Sequence, residues 1–511
     1  MRKPTLCWII VAFFYLSLIT EGPGGIVAQV KIDPVAQMIK LPQEDWLSLS
    51  LMGAKVGYAH IYAEEGTYRD QPAIKIRTQT AIQIQRTGTG LRLETTRTCY
   101  VGLDLVPLYF VSLSNETGQE KRVEGVIENG EIRLETTLAG ETTTVQKSVA
   151  PNTVFDAAVG YFVLHHGFEV GDQYDLNVFS MDLMQPVETE IKVVRKETVN
   201  GQPTFVVDYT MDIMGGITTS EWVDMNGTTH RMESGLMGLK MVLTRTDMAT
   251  ALDGLTEVDV ILNTKILSTG QRPKPDANRL LARVQIFSLD PEKAILRNHR
   301  QKILSQNDTD LRLEISREPK IPSLARSILA TRVQQDQTLA GFLKSSVYIQ
   351  ADHPQMIEQA KTVVSDEDQA WPAADKLSRW VYNTIRNKNL QVGFGSALQT
   401  LESQTGDCTE HTVLFVALAR AAGLPARVCA GLVFQRDAFY YHFWPEVYVG
   451  EWIATDPTFG QAQADATHIQ LAGSVMESDS MVEMGEGVMR TLNQMEIEIL
   501  AVDAPTSADT E

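Results

Sequence analysis

A cysteine, a histidine and an aspartate, the residue types that together perform acyl transfer, stand at Cys408, His442 and Asp456. Cysteine attacks as the thiolate, so the surroundings of Cys408 come first. Asp407 precedes it and Glu410 lies three residues beyond Asp407, the spacing of a capping box that starts a helix. Cys408 then sits in the first turn, facing the positive end of the helix dipole, which favours the thiolate. Its backbone N–H is also placed to stabilise an oxyanion. A lone cysteine is more often a small buried hydrophobe. The residues downstream argue otherwise.

The helix is expected to run to Ala422, with Gly423 as its stop and Pro425 preventing resumption. Val413 to Leu418 is apolar almost all round, so the helix should be buried. Ala426 to Phe434 reads as a strand and Phe439 to Val449 as a second, with His442, Trp444, Glu446 and Tyr448 on one parity. Gly450-Glu451 is a turn, and Trp452 to Thr455 is a third short strand ending at Asp456-Pro457-Thr458. Pairing the last two strands would return Asp456 to His442. A carboxylate there holds the imidazole tautomer while the other ring nitrogen serves the thiol. Pro445 cannot donate to a ladder, so a bulge or an unpaired edge position is expected there.

These blocks resemble the bacterial transglutaminase-like superfamily. The resemblance rests on Gly406-Asp407-Cys408 with Glu410-His411, on Arg420 to Arg427, on His442 to Val449, and on Trp452 to Thr458. It covers residues 350–470 or so, and it implies a papain-like α+β core whose cysteine helix packs on the sheet bearing the other two residues. Residue by residue it makes Cys408 the nucleophile, His442 the proton carrier and Asp456 its orienting partner. It further implies a thioester intermediate on a protein or peptide substrate, with hydrolysis favoured over cross-linking, and no cofactor. Nothing resembles the calcium sites of the animal enzymes, and the mechanism needs no metal. A catalytically inactive binding or scaffold protein is the alternative, against which the intact set of three residues speaks.

The neighbouring residues take plainer roles. Trp444 and Trp452 are expected to pack around the site, and Glu446 to meet Arg427 or a strand neighbour. His411 suits a capping or buried hydrogen-bonded role, and Cys429 a strand core. Zinc held by Cys408, His411, Cys429 and His442 is disfavoured, because only the first two are closely spaced. The isolated pair His165-His166 gives little reason to expect a metal.

Upstream, the expected fold is a large antiparallel β-rich domain. Ile74, Ile76, Ile82 and Ile84 share one parity, and Asn-Gly pairs at 129, 200 and 226 suit tight hairpins. One helix is expected from Thr153 to Leu164. The expected order is a signal peptide (1–28), a linker (29–45), the β-rich domain (46–267), a linker (268–277), a small β-rich connecting module (278–345), the catalytic domain (346–475) and a C-terminal segment with an acidic tail (476–511).

The chain has 511 residues, with 43% hydrophobic and 21% charged, which is enough for globular cores in about three domains. A net charge of −19 disfavours nucleic acid and anionic membranes as partners, since both would repel it. Arg2 and Lys3 before an apolar run from Leu6 to Ile19 describe an export signal, with an uncleaved anchor as the alternative. The protein is therefore expected to be periplasmic or extracellular, with no stable membrane span after cleavage. Removing Cys7 with the signal leaves three cysteines, too few for a disulfide framework.

Overall fold

The computed structural model describes residues 40–86, 89–116, 119–167, 169–212, 217–236, 239–287, 294–322, 324–388, 395–474, 488 and 491–503. The expected signal peptide and the acidic tail beyond Asp503 lie outside the described residues. Two compact units are present. One takes in the described residues before Arg86 and Gly90–Val258; the other takes in Asp259 onward with the short stretch 86–89.

Alternating apolar and polar residues build the first unit. Its strands are β1 (Gln43–Leu51), β2 (Ala54–Tyr68), β3 (Gln71–Arg86), β4 (Thr89–Gly102), β5 (Pro107–Glu116), β6 (Gln119–Glu128), β7 (Glu131–Leu138) and β8 (Glu141–Ser148). They continue as β9 (Thr153–Phe155), β10 (Gln173–Ser180), β11 (Gln185–Val199), β12 (Gln202–Met211), β13 (Ile217–Val223), β14 (Thr229–Leu236) and β15 (Leu239–Thr246). The sheet runs β8 to β1 in reverse order, then β15 down to β9, and β16 (Val258–Asp259) pairs with β3. Phe110 of β5 meets Phe155 of β9 and Phe179 of β10 at ring separations of 5.6 and 5.8 Å, so strands far apart in this order face each other. The sheet therefore curls around an interior. Ile74, Ile76, Ile82 and Ile84 all point into buried positions.

Local chemistry fixes the turns. Asn129-Gly130 and Asn200-Gly201 both take positive φ, the requirement of a two-residue hairpin. At the third pair only Gly227 does so. The Asp224 carboxylate accepts from the N–H groups of Asn226 and Thr228 at 2.8 and 3.1 Å, and this side-chain turn replaces the tight hairpin. The expected helix begins later and ends later than 153–164. Thr153–Phe155 is drawn into β9, a 3₁₀ turn follows, and α1 spans Val159–His166.

The second unit is α+β. Its strands are β17 (Ile266–Gly270), β18 (Arg279–Ile286), β19 (Gln301–Gln306), β20 (Asp310–Ser316), β21 (Ala426–Gln435), β22 (Ala438–Tyr448), β23 (Trp452–Ala454), β24 (His468–Ser474) and β25 (Met495–Asp503). The order is β19-β20-β18-β25-β17-β22-β21-β24, with β23 on β22. Residues 278–345, read from sequence as a connecting module, supply three of these strands. The helices that matter here are α2 (Pro354–Val364), α3 (Ala370–Thr384), α4 (Ala397–Ser403) and α5 (Cys408–Ala421). In α3, Ala370, Ala373, Leu377 and Val381 form the buried face that their spacing anticipates. Every residue of α5 from Cys408 to Arg420 is buried, as an all-round apolar helix requires.

β21 pairs with β22 without a register shift, and Gly431 lies opposite His442. A Cβ on Gly431 would stand 2.0 Å from the Ile469 carbonyl oxygen and 2.8 Å from the Trp444 ring. We expect Gly431→Ala to destabilise this unit by about 1–3 kcal/mol, the usual range for overpacking. Urea unfolding followed by tryptophan fluorescence measures it, and an unchanged midpoint would contradict the packing described.

Candidate active site

The start of α5 is built by its own side chains. The Asp407 carboxylate accepts from Thr409 N–H at 2.9 Å, and Glu410 Oε2 accepts from Asp407 N–H at 2.8 Å. Glu410 Oε1 also accepts from Gly395 N–H at 2.8 Å. Cys408 is thus held as the first helical residue, and it is fully buried. The backbone N–H of Phe443 donates to the region of its sulfur, which places the thiol beside the residue that follows His442.

β22 and β23 pair with Tyr448 opposite Trp452 and Glu446 opposite Ala454, and the chain leaves this hairpin at Asp456. The register that sequence could not supply brings His442 Nε2 to 2.8 Å from Asp456 Oδ2. Nε2 therefore carries the proton it donates, and Nδ1 is buried with no hydrogen-bond partner among the described residues. Asp456 Oδ1 accepts from Thr458 N–H and Phe459 N–H at 2.8 and 3.3 Å. The His442 ring is stacked between Trp444 and Phe459, at centroid separations of 6.2 and 5.0 Å.

Of the two arrangements expected at Pro445 the bulge is absent, since β22 pairs with β21 without a register shift, and the ladder with β23 ends one residue before it, at Glu446 opposite Ala454. The Pro445 carbonyl accepts from Thr455 N–H at 3.0 Å. A strand residue points its N and its C=O the same way, so the proline nitrogen falls just past the end of β23.

A second histidine enters the site unannounced. His468, the first residue of β24, places Nε2 at 3.0 Å from the same Asp456 Oδ2 and Nδ1 at 3.2 Å from Asp465 Oδ1. A carboxylate on each side favours its imidazolium form. Burial opposes that charge, but Asp456 and Asp465 outweigh burial and raise His468 above its ordinary range. Burial likewise opposes ionisation of Asp456, yet His442 and His468 together hold it well below the usual carboxylate range. Asp465-Ala-Thr-His468 was the only local signal for this residue, and it gives no hint of Asp456.

The thiol behaves differently from the expectation drawn from the helix dipole. Burial, the Asp407 charge, and then Glu410 and Asp456 push Cys408 well above an ordinary thiol, against the favourable Phe443 N–H. Desolvation outweighs one helix terminus, so the resting form is the neutral thiol. His411 donates from Nδ1 to the Asp407 carbonyl, and burial followed by the Lys388 charge lowers it to about 4. Lys388 gives a hydrogen bond to Thr458 O at 2.7 Å and is itself lowered by burial to about 8.

The remaining residues lie as follows. Arg427 Nε donates to Glu446 Oε2 at 2.7 Å, an internal ion pair. Trp452 packs edge-on to Phe342 at 4.8 Å, under the Arg427 guanidinium. Cys429 is buried and accepts from Gln470 Nε2 at 3.2 Å. His166 is tied to Phe162 O at 2.9 Å. Among the described residues, the group with metal-ligand geometry is His442, Asp456 and His468, not the set of cysteines and histidines considered from sequence. Its ligand atoms are engaged with one another in the hydrogen bonds above.

Residues 357–457 match the family model of the Transglutaminase-like superfamily. This segment is a transglutaminase-like domain. Residues 47–234 match a model described as a protein of unknown function, DUF3108. No curated protein matches the chain. Among solved structures, a candidate cysteine protease from Cytophaga hutchinsonii is 19% identical, covering 45% of this chain and 88% of that one at a TM-score of 0.30. A beta-barrel-like protein of the DUF1849 domain from Brucella abortus is 13% identical, covering 41% and 97% at a TM-score of 0.33. These likenesses are too slight to carry chemistry.

The two carboxylates around buried His468 make stability depend on pH in a definite direction. The folded value of His468 lies above the unfolded value of about 6.5, so its stabilisation is complete below about pH 6.5. That stabilisation is lost as pH rises through the folded value. The unfolding free energy should therefore fall above about pH 6.5 in the native protein and do so less in His468→Gln. Urea titrations between about pH 5.5 and 9 measure it, and parallel curves would rule out a charged His468.

Proposed function

We propose that the chain is an exported cysteine-dependent enzyme that transfers the acyl group of an amide through Cys408, His442 and Asp456, with water as the main acceptor. The observation that carries this reading is the state of His442. Asp456 fixes the proton on Nε2, so Nδ1 presents a lone pair in a water-excluded site on the strand that borders the Cys408 sulfur. That is the arrangement of an oriented general base beside a nucleophile.

In the proposed sequence, Nδ1 takes the thiol proton as the sulfur attacks the amide carbonyl carbon. The C–N bond breaks, the amine leaves with the proton returned by the imidazolium, and a thioester remains on Cys408. Water, deprotonated by the same nitrogen, attacks the thioester and releases a carboxylate and the thiol. An amine in place of water would give an isopeptide cross-link. Because burial keeps the resting thiol neutral, proton transfer accompanies attack and no thiolate–imidazolium pair precedes it. The family match over 357–457 supports the class of chemistry. A papain-like arrangement, in which the cysteine helix packs on the sheet that bears the histidine, agrees with α5 and β22.

One observation favours an inactive scaffold instead: Cys408, His442 and Asp456 are each 0% exposed. The two readings separate cleanly. On the enzyme reading, peptide amides incubated with a fluorescent primary amine give mainly carboxylate product, and Cys408→Ala or His442→Ala lowers the rate by about 10³-fold or more. Mass spectrometry of the products distinguishes hydrolysis from amine incorporation. Iodoacetamide labelling of Cys408 should climb with pH through the alkaline range without an acidic plateau. Turnover unaffected by Cys408→Ala sinks the proposal, and a labelling plateau reaching acidic pH sinks the neutral-thiol mechanism.

A further inference from the structure

The curled sheet of the first unit does not fill its own interior. A cavity of about 200 Å³ lies within it, walled by strands β1 to β4 and β10 to β15 and by α1. Away from the contact of Phe110 with Phe155 and Phe179, the inward side chains of this large curled sheet do not close the space between its walls. The volume exceeds the roughly 150 Å³ of a cavity that accepts a benzene-sized guest. Its wall is largely apolar, with Leu47, Ile61, Val178, Met211 and Leu243 among the lining residues.

The charges in that wall are matched, with one exception. Arg97 Nη1 lies 3.0 Å from Asp182 and 3.8 Å from Asp156. Asp45 lies 2.7 Å from Arg245 and accepts from Gln43 Nε2 at 2.8 Å. Glu221 is 6% exposed, and its side-chain partners are neutral hydroxyls: Tyr209 OH donates to Oε2 at 2.6 Å, and Thr229 donates to Oε1. No cation pairs with it among the described residues. A buried carboxylate held by two hydroxyl donors and facing an apolar cavity has the form of an anchoring group without its counter-ion.

We propose that the first unit is a binding module for a small organic cation, a primary ammonium on an apolar body, with Glu221 as its counter-ion. Tyr209 and Thr229 hold the carboxylate in place, so the ammonium meets a fixed acceptor. The apolar body occupies the space between Leu47, Ile61 and Met211, where it displaces water from hydrocarbon. Size sets the upper limit: a benzyl or short alkyl amine fits, and a folded protein segment does not. Burial followed by the Asp45 charge raises Glu221 above the ordinary carboxylate range, a cost that pairing with an ammonium removes. The module needs nothing from Cys408, and the inference stands apart from the proposed acyl transfer.

The test uses the full chain and three probes of one shape: benzylamine, benzyl alcohol and benzoate, titrated by calorimetry. The expected result is that benzylamine binds at least about tenfold more tightly than either of the others. Glu221→Gln, which keeps both hydroxyl partners, should weaken benzylamine by about tenfold and leave benzyl alcohol within about twofold. Ala59→Leu, which fills part of the cavity, should weaken both. Comparable binding of the amine and the alcohol to the native protein overturns the proposal without reference to any variant. So does the absence of binding by all three probes up to about 10 mM. If Glu221→Gln does not fold, Tyr209→Phe takes its place. Unchanged amine affinity in either variant assigns the cavity no charge-reading role.

Discussion

One carboxylate oxygen, Oδ2 of Asp456, accepts from two imidazoles in a region closed to water, and the second unit is arranged around the cost of burying that charge. An isolated buried carboxylate is expensive, and pairing alone often fails to offset desolvation. Here the remaining lone pairs are also satisfied, by the N–H groups of Thr458 and Phe459, and the second imidazole is neutralised from behind by Asp465. Three strands are needed for this. β22 brings His442, the end of β23 brings Asp456, and β24 brings His468, so the sheet order places three distant segments on one oxygen.

The same dryness works against the thiol. A helix N-terminus stabilises a thiolate by a modest amount, whereas full burial beside three carboxylates disfavours it more strongly. The balance favours the neutral Cys408 thiol beside the strand that carries His442. The capping box has a part in this. Glu410 bonds to the N–H groups of Asp407 and Gly395 at once, which fixes the helix start while burial keeps the Glu410 carboxyl raised.

The first unit solves a different problem. Its strands bury one parity and expose the other, as in any half-buried sheet, but the curl leaves space that the inward residues cannot close. The aromatic cluster of Phe110, Phe155 and Phe179 packs one part of the interior densely. Away from it, threonines, Tyr209 and Glu221 line the cavity, a polar choice that a purely structural core would not need.

What could be read along the chain was whatever depends on neighbours in sequence. The capping box at Asp407 and Glu410, the Asn-Gly turns at 129 and 200, and the start and stop of α5 all rest on contacts a few residues apart, and all were legible. The ordered blocks from Gly406 to Thr458 also sufficed to indicate the family and the three residues of the candidate site. What only the tertiary structure decided depends on register and burial. The β22–β23 pairing sets the His442–Asp456 bond, and β24 delivers His468 to the same oxygen across the sheet. The direction of the Pro445 backbone removes the need for a bulge, and desolvation reverses the expected state of Cys408. A sequence specifies its local geometry through short-range sterics and hydrogen bonds. Dielectric surroundings and long-range partners exist only once distant segments have excluded water together.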